Sequence, residues 1–436
     1  MKRQTQVLIV VFVVLLAAWP SLAAQPSGGF NGQPTGELNA SIGYEWDKDT
    51  KQVVHDSTQA GFRFVLEDDL DSGGRIHLSA KGWWDWKQED GKLALDQLWM
   101  SGYYEDVDYQ VGRQVISWGT ADGFNPTNYF SRMNSNALLS GDFSGEPMWA
   151  GQAIYYAPTW SVTGVVIPIF APQGIDAQMR RMITDKGPQG TMVLEAIEGT
   201  KKPLGLGKNS ELALRAETQF AGFDLQASYF SGFEPLPGLE MVLTFNPDLG
   251  RVIPSMEGTY RRQRFFGLAA TGTLGPAGVW GELSYGGPVA FKESANPLVQ
   301  RIPLSIDEKY LQAVVGGDYT FDLGKGLLVQ GQYIYRGQGS LFEPYVMPNL
   351  ETMTPGEIES AHYLYGRLGY NFSADSSIDI IILHGFKEEG GLIRPAYTHR
   401  FPNSMQLELS LIALYGKEEL SSSLGSQARI AVKYQF

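Results

Sequence analysis

The last nine residues constrain the fold of this chain more than any other stretch. Ala428, Ile430, Val432, Tyr434 and Phe436 alternate with Arg429, Ala431, Lys433 and Gln435. Successive side chains of an extended strand point to opposite faces, so period two specifies a strand with one apolar and one polar face. The pattern recurs in Leu38, Ala40, Ile42, Tyr44 and Trp46, in Ile76, Leu78 and Ala80, in Leu212, Leu214 and Ala216, and in Met405, Leu407, Leu409 and Leu411. Polar residues fill the alternate positions, and Tyr, Trp and Phe gather near strand ends, as membrane-interface girdles require. With 12% aromatic and 19% charged residues, the chain carries ample apolar surface to fold.

Lys2 and Arg3, an apolar run from Val7 to Ala18, the break at Trp19-Pro20 and small residues up to Ala23 read as a cleaved secretory signal peptide over 1–23. Beyond it no apolar stretch reaches the ~20 residues of a spanning helix; the longest, Ile378 to Leu383, is strand-sized. A membrane location would therefore be built from strands. The formal net charge of −13 argues against nucleic-acid binding. Zero cysteine excludes disulfides, thiolate metal sites and a cysteine nucleophile.

The connections decide between a soluble β protein and a membrane barrel, because such barrels carry short turns at one end and long loops at the other. Short connections fall at 68–73, Glu105-Asp106, 157–159, Ala221-Gly222, Gly275-Pro276, 322–326, 373–377 and Pro402-Asn403. Long ones fall at 119–149, 171–210, 233–262, 287–308 and 337–361. The alternation predicts an all-β fold: a transmembrane antiparallel up-and-down barrel of about eighteen strands, with sixteen as the alternative. The expected organisation is a periplasmic segment over 24–36 and one barrel over 37–436. Short helices are expected at 176–184 and 355–361, in loops that cap the mouth or decorate the surface.

The signal peptide, the alternating strands and the terminal strand resemble a Gram-negative outer-membrane porin-type barrel. In such proteins the closing strand with its terminal aromatic, here Tyr434 and Phe436, is the signal read by the barrel-assembly machinery. The stretch from Val111 to Gly119, followed by Gly123-Phe124-Asn125-Pro126, is similar to a narrower outer-membrane barrel family of mostly unknown function. The hairpin from Arg215 to Gly232, followed by Glu234-Pro235-Leu236-Pro237, fits it too. The resemblance implies contact with outer-membrane lipid and lipopolysaccharide, passage of small solutes, and a third loop, 119–149, folded into the lumen. That loop offers Asp122, Asp142 and Glu146 as acidic groups, and Phe124, Tyr129, Phe130 and Phe143 as wedges against the wall.

The polar phase of the late strands offers Arg336, Arg367, Arg394, Arg400, Arg429 and Lys433 against Asp379 and Glu408. Opposite an acidic loop, such a basic wall would set up a transverse field and ion selectivity; the competing reading pairs these cations with neighbouring acids or with lipopolysaccharide phosphates. Arg113 falls among Val107, Tyr109, Val111 and Val115 on the apolar phase, where a midplane arginine facing lipid would cost about 2–4 kcal/mol. A bulge near Gly112 turning Arg113 into the pore, or a place near the membrane edge, would relieve that cost; the pore is the expectation adopted.

The five histidines occur singly without metal-ligand spacing, and His55-Asp56-Ser57 is the nearest approach to a hydrolase constellation, so no catalytic residue, metal or cofactor is expected. The favoured function is passive diffusion of small solutes through a polar lumen narrowed by the third loop. The alternatives are a docking barrel that anchors a periplasmic or surface partner such as a cytochrome conduit, lipoprotein or transporter, and a route for hydrophobic solutes lined by Leu98, Met100 and Ile116. The sequence leaves the oligomeric state open, and a homo-oligomer follows from analogy with porins alone.

Overall fold

The computed structural model describes residues 32–436 apart from 33, 47–51, 71–72, 122, 131–144, 176, 185–186, 206, 208, 342–344, 347–354, 388 and 417–424. The signal segment lies outside the described residues. In chain order the elements are β1 (Thr35–Trp46), β2 (Val53–Asp69), β3 (Arg75–Asp85), β4 (Asp90–Tyr104), β5 (Val107–Gln114), β6 (Met148–Tyr156), β7 (Trp160–Ile167), α1 (Ala177–Thr184), α2 (Pro188–Gly199), β8 (Glu211–Phe220), β9 (Phe223–Phe233), β10 (Gly238–Asn246) and β11 (Arg251–Thr259). They continue with β12 (Arg262–Leu274), β13 (Ala277–Pro288), β14 (Val299–Pro303), β15 (Tyr310–Phe321), β16 (Leu327–Arg336), β17 (Ala361–Asn371), β18 (Ser376–Gly385), β19 (Gly390–Arg400), β20 (Met405–Tyr415) and β21 (Ser426–Gln435).

Eighteen of these strands form one sheet in which each pairs antiparallel with its neighbours and β1 pairs with both β2 and β21, so the sheet closes on itself. The seam runs from Glu37 opposite Gln435 to Trp46 opposite Ser426, and Gly36 and Phe436 exchange backbone bonds beyond it. The barrel begins at Thr35, two residues before the expected boundary. Closure matters because a membrane interior offers no partner for an unpaired backbone group. The eight short turns fall where the alternation placed them; Ala221 and Gly222 both have positive φ (52° and 83°), the geometry that matches the right-handed twist of flanking strands.

One face of the wall carries exposed apolar side chains, among them Leu212, Leu214, Phe266, Leu268, Val315 and Leu364. Intervening residues such as Ala213, Phe265, Glu282, Ser284, Gln332 and Tyr363 are buried inside. Aromatics crowd the turn end, where Tyr319 and Phe321 lie 4.6 Å apart and Tyr370 and Phe372 5.1 Å apart.

The long connections at the other end build a second unit. β10, β11 and β14 form a small sheet, with β10 in the middle. Ile183 of α1, Val193, Leu194 and Ile197 of α2, Leu239, Met241 and Leu243 of β10, Ile302 of β14, Leu304 and Tyr345 share one apolar core. Four connections far apart in sequence thus make a cap. The expected helix at 176–184 is α1, whereas 355–360 is irregular and Ala361 opens β17, so the second expected helix is absent there. Pro355 and Gly356 oppose a helix, and the strand ladder claims the following residues.

The cap is fixed to the barrel by Arg261, whose side chain is only 4% exposed. Its Nε and Nη2 donate to Glu234 at 2.7 and 2.8 Å, Nη1 to Asp307 at 2.7 Å and Nη2 to the Ile306 carbonyl at 2.7 Å. Its guanidinium also lies 3.9 Å from the Phe291 ring centroid. Burial drives the Glu234 carboxyl up to about 7 despite the opposing pull of Arg261. Arg261→Ala leaves the half-buried Glu234 and Asp307 without their shared cation and is expected to destabilise the cap. Limited proteolysis should then cut within the cap connections, 177–210, 234–261 and 289–309, while the barrel retains its heat-modifiable mobility on SDS gels.

Candidate functional site

β5 ends at Gln114, where the chain leaves the wall. Gln114 Nε2 donates to the carbonyls of Gln110 and Ala150 at 3.2 and 3.0 Å, which fixes the exit. The next residues run along the inner face. Ile116, Trp118 and Phe130 pack with Met148 and Ala150 of β6, Val165 and Ile167 of β7, Ala213 of β8, Phe230 of β9 and Phe265 of β12. Tyr129 stacks on Phe230 at 5.2 Å, and its hydroxyl shares a hydrogen bond with Ser228 Oγ at 3.0 Å. Further across, Ala121 and Phe124 join Val314, Ile334, Tyr363, Tyr365, Ile381, Leu383 and Leu392 of β15 to β19.

Apolar packing alone would leave the backbone of this irregular segment without partners. Glu282 of β13 supplies them. Its Oε1 accepts the amides of Thr120 and of Ala121, the latter at 2.9 Å; Oε2 accepts the Thr127 amide at 3.0 Å and the Thr127 hydroxyl at 2.8 Å. Gln332 Nε2 donates to the Phe124 carbonyl at 3.1 Å and is oriented by Trp280 Nε1, which donates to Gln332 Oε1 at 2.8 Å. Asn128 Oδ1 accepts the Trp118 amide at 3.2 Å. A buried carboxylate serving several amide and hydroxyl donors fixes the segment more tightly than neutral bonds would.

The remaining inner wall is charged. A bulge in β4, where Ser79 pairs with Gln97 but Ala80 with Leu95, puts Asp96 inside. Asp96 is buried between Lys81 Nζ at 2.7 Å and Arg63 Nη2 at 3.1 Å, both of which remain about half exposed. Around the seam, Glu408 receives Arg394 at 3.1 Å and Lys433 at 3.8 Å, while Arg429 donates to Ser41 Oγ at 2.9 Å. Three cations thus surround one carboxylate.

Of the other basic residues picked out from sequence, Arg367 pairs with Asp379 at 2.7 Å. Arg336, at the loop end of β16, donates to Gln312 and to the Tyr310 hydroxyl, both at 3.3 Å. Arg400 ends β19 at the turn end. The six therefore occupy several heights rather than one, and part of their charge is spent on Asp379 and Glu408. Glu146 is exposed just before β6; Asp122, Asp142 and Phe143 lie outside the described residues.

Arg113 is corrected by the register. It pairs with Leu98 on one side and Trp149 on the other, both outward and exposed, so it stands on the outer face rather than in the pore. Its place next to the end of β5 puts it near the rim, and its Nε donates to the carbonyl of bulged Asp96 at 3.0 Å. The bulge lies in β4, not at Gly112, and it also turns Leu98 and Met100 outward, leaving Ile116 alone of that trio inside. The sequence carries the signal: outward Leu93 and Leu95 are followed by Leu98 and Met100, a step of three instead of two.

The fold is that of porin-type outer-membrane barrels. The BenF-like porin of Pseudomonas fluorescens Pf-5 superposes with a TM-score of 0.52 at 11% identity, covering 94% of this chain and 100% of that one. OccAB3 of Acinetobacter baumannii gives 0.51 at 9% identity, covering 93% and 99%. The outer membrane protein opdK of Pseudomonas aeruginosa gives 0.51 at 10% identity, covering 94% and 100%. No protein-family model and no curated protein matches the chain. The likeness is one of architecture, and the narrower resemblance around 111–126 rests on those residues alone.

Two substitutions test the pinned segment. Glu282→Ala removes bonds that contribute about 1.5–3 kcal/mol each when charged, offset by water in the lumen. Hydrogen exchange at the amides of 120, 121 and 127 is expected to speed up by about one to three orders of magnitude. At Gly267 an added Cβ would stand 2.3 Å from the Tyr129 hydroxyl and 2.9 Å from Thr127. Gly267→Val is therefore expected to quicken exchange at 127–129 while the barrel still assembles.

Proposed function

We propose that the chain is an outer-membrane channel for passive diffusion of small polar solutes, with the segment after β5 as its constriction. The observation that carries this reading is the segment pinned across the inner wall by Glu282 and Gln332, in a lumen whose remaining wall carries the partly exposed cations Arg63, Lys81 and Lys433. A structural or docking barrel has no need to anchor an internal loop on a buried carboxylate. No catalytic constellation enters the reading, and outer-membrane lipid and the assembly machinery are the partners it implies.

The charge balance within two clusters of the inner wall supports an anion preference. Arg63 and Lys81 exceed Asp96 by one positive charge, and Arg394, Arg429 and Lys433 exceed Glu408 by two. Water-excluded walls lined by one sign of charge concentrate counter-ions and filter by charge. The partly exposed members, Arg63, Lys81 and Lys433, are the ones a solute would meet first. Purified protein in planar bilayers is expected to give stepwise conductance with a reversal potential on the anion side in a salt gradient. Lys81→Glu with Lys433→Glu should move that potential toward cations; a silent barrel, or an unmoved potential, would count against the reading.

A further inference from the structure

The cap rises from one side of the barrel and is tied to the other. Its small sheet follows β9 and precedes β12 in the chain, and Arg261, between β11 and β12, roots it there through Glu234 and Asp307. Counting around the ring, β1 lies half of the eighteen strands from β12, and β2 lies five strands from β7, after which the chain enters α1. Arg181 of α1 nevertheless reaches them: its Nη1 lies 3.2 Å from Glu45 at the loop end of β1, and its Nη2 3.7 Å from Asp56 near the loop end of β2. α1 is itself held to α2 by Arg180 and Glu198 at 2.5 Å and by Ile183 in the shared core. α1 therefore bridges the connection between β7 and β8 to the loop ends of β1 and β2.

We propose that α1 is the strap of a lid over the loop-end mouth, clasped reversibly where Arg181 enters between Glu45 and Asp56; this rests on the channel reading above. The two attachments differ in kind. The Arg261 root is buried, bidentate and stacked on Phe291. The Arg181 clasp is 43% exposed on the arginine side, and Glu45 already accepts the Gly425 amide at 3.0 Å through its other oxygen. Exposed ion pairs are weak and are screened by salt, whereas buried ones resist parting. Opening thus releases the clasp while the apolar core of the cap and its root stay formed. A small differential interaction at the clasp then shifts the closed and open populations.

Single-channel conductance of the full-length protein in planar bilayers tests the clasp. Arg181→Glu is expected to raise mean conductance severalfold, and Arg181→Glu combined with Asp56→Arg to bring it back. Wild-type conductance should climb with salt more steeply than the conductivity of the solution. Because the chain has no native cysteine, Arg181→Cys with Asp56→Cys can be bridged by a reducible bis-methanethiosulfonate reagent. Bridging should lower conductance to a residual level and reduction should restore it, with single-cysteine controls unaffected. A bridged barrel that conducts like wild type, or a charge reversal without effect, overturns the lid. Deleting 177–199 separates the two ideas: a deletion variant that conducts beside an unresponsive clasp overturns the lid alone, and one that is folded but silent overturns the channel and the lid with it.

Discussion

Closure of the sheet is the constraint on which the rest of the molecule depends. Each backbone N–H or C=O left unpaired in hydrocarbon costs several kcal/mol, so a spanning sheet can have no edge. The seam between β1 and β21, completed by Gly36 and Phe436, removes the edge that either strand would otherwise expose. Once the ring is closed, every strand residue is committed to lipid or to lumen. The alternation along the terminal strand is this commitment written in side chains.

An enclosed lumen makes unusual arrangements affordable. Glu282 would be a poor choice in a solid apolar core, yet inside the barrel it meets amides that an irregular segment brings within reach. The segment needs acceptors because it makes no ladder, and the wall needs something to cover Phe230, Phe265, Tyr363 and Leu383. Each demand answers the other. On the opposite wall the same enclosure lets Asp96 and Glu408 sit among several cations without complete neutralisation. On the proposed channel reading, that imbalance is the source of a field across the lumen.

At the loop end the physics changes from lipid to water, and a conventional core reappears. Leu239 of one connection and Ile302 and Leu304 of another are almost completely buried there together. The result is a cap with its own stability, joined to the barrel by one strong ionic root and one weak clasp. The difference in burial between Arg261 and Arg181 is what separates a fixed part from a movable one.

The barrel itself was legible because its rules are local. Period two, two-residue turns such as Glu105-Asp106 and Ala221-Gly222, and aromatics at strand ends each act over a few residues, so strand number and turn placement followed from the sequence alone. Arg113 keeps the outward phase that the alternation of β5 gives it, because the bulge expected near Gly112 lies instead at Asp96 in β4, where it inverts the phase of Leu98 and Met100. The cap was read as loops because its core joins α1, α2, β10 and β14, none of which can bury its apolar face alone. The hairpin of β10 and β11 did leave a mark, the turn residues Asn246-Pro247-Asp248-Leu249-Gly250 between extended runs. Glu282 gave none, since one polar residue on an inward phase looks like any other. What the sequence determined was the closed barrel, because strand pairing and sidedness are set by neighbours in the chain. Which carboxylate pins the inner segment, which cations are neutralised and how the mouth is spanned were decided only by tertiary structure, because those groups meet across a ring that brings residues hundreds of positions apart into contact.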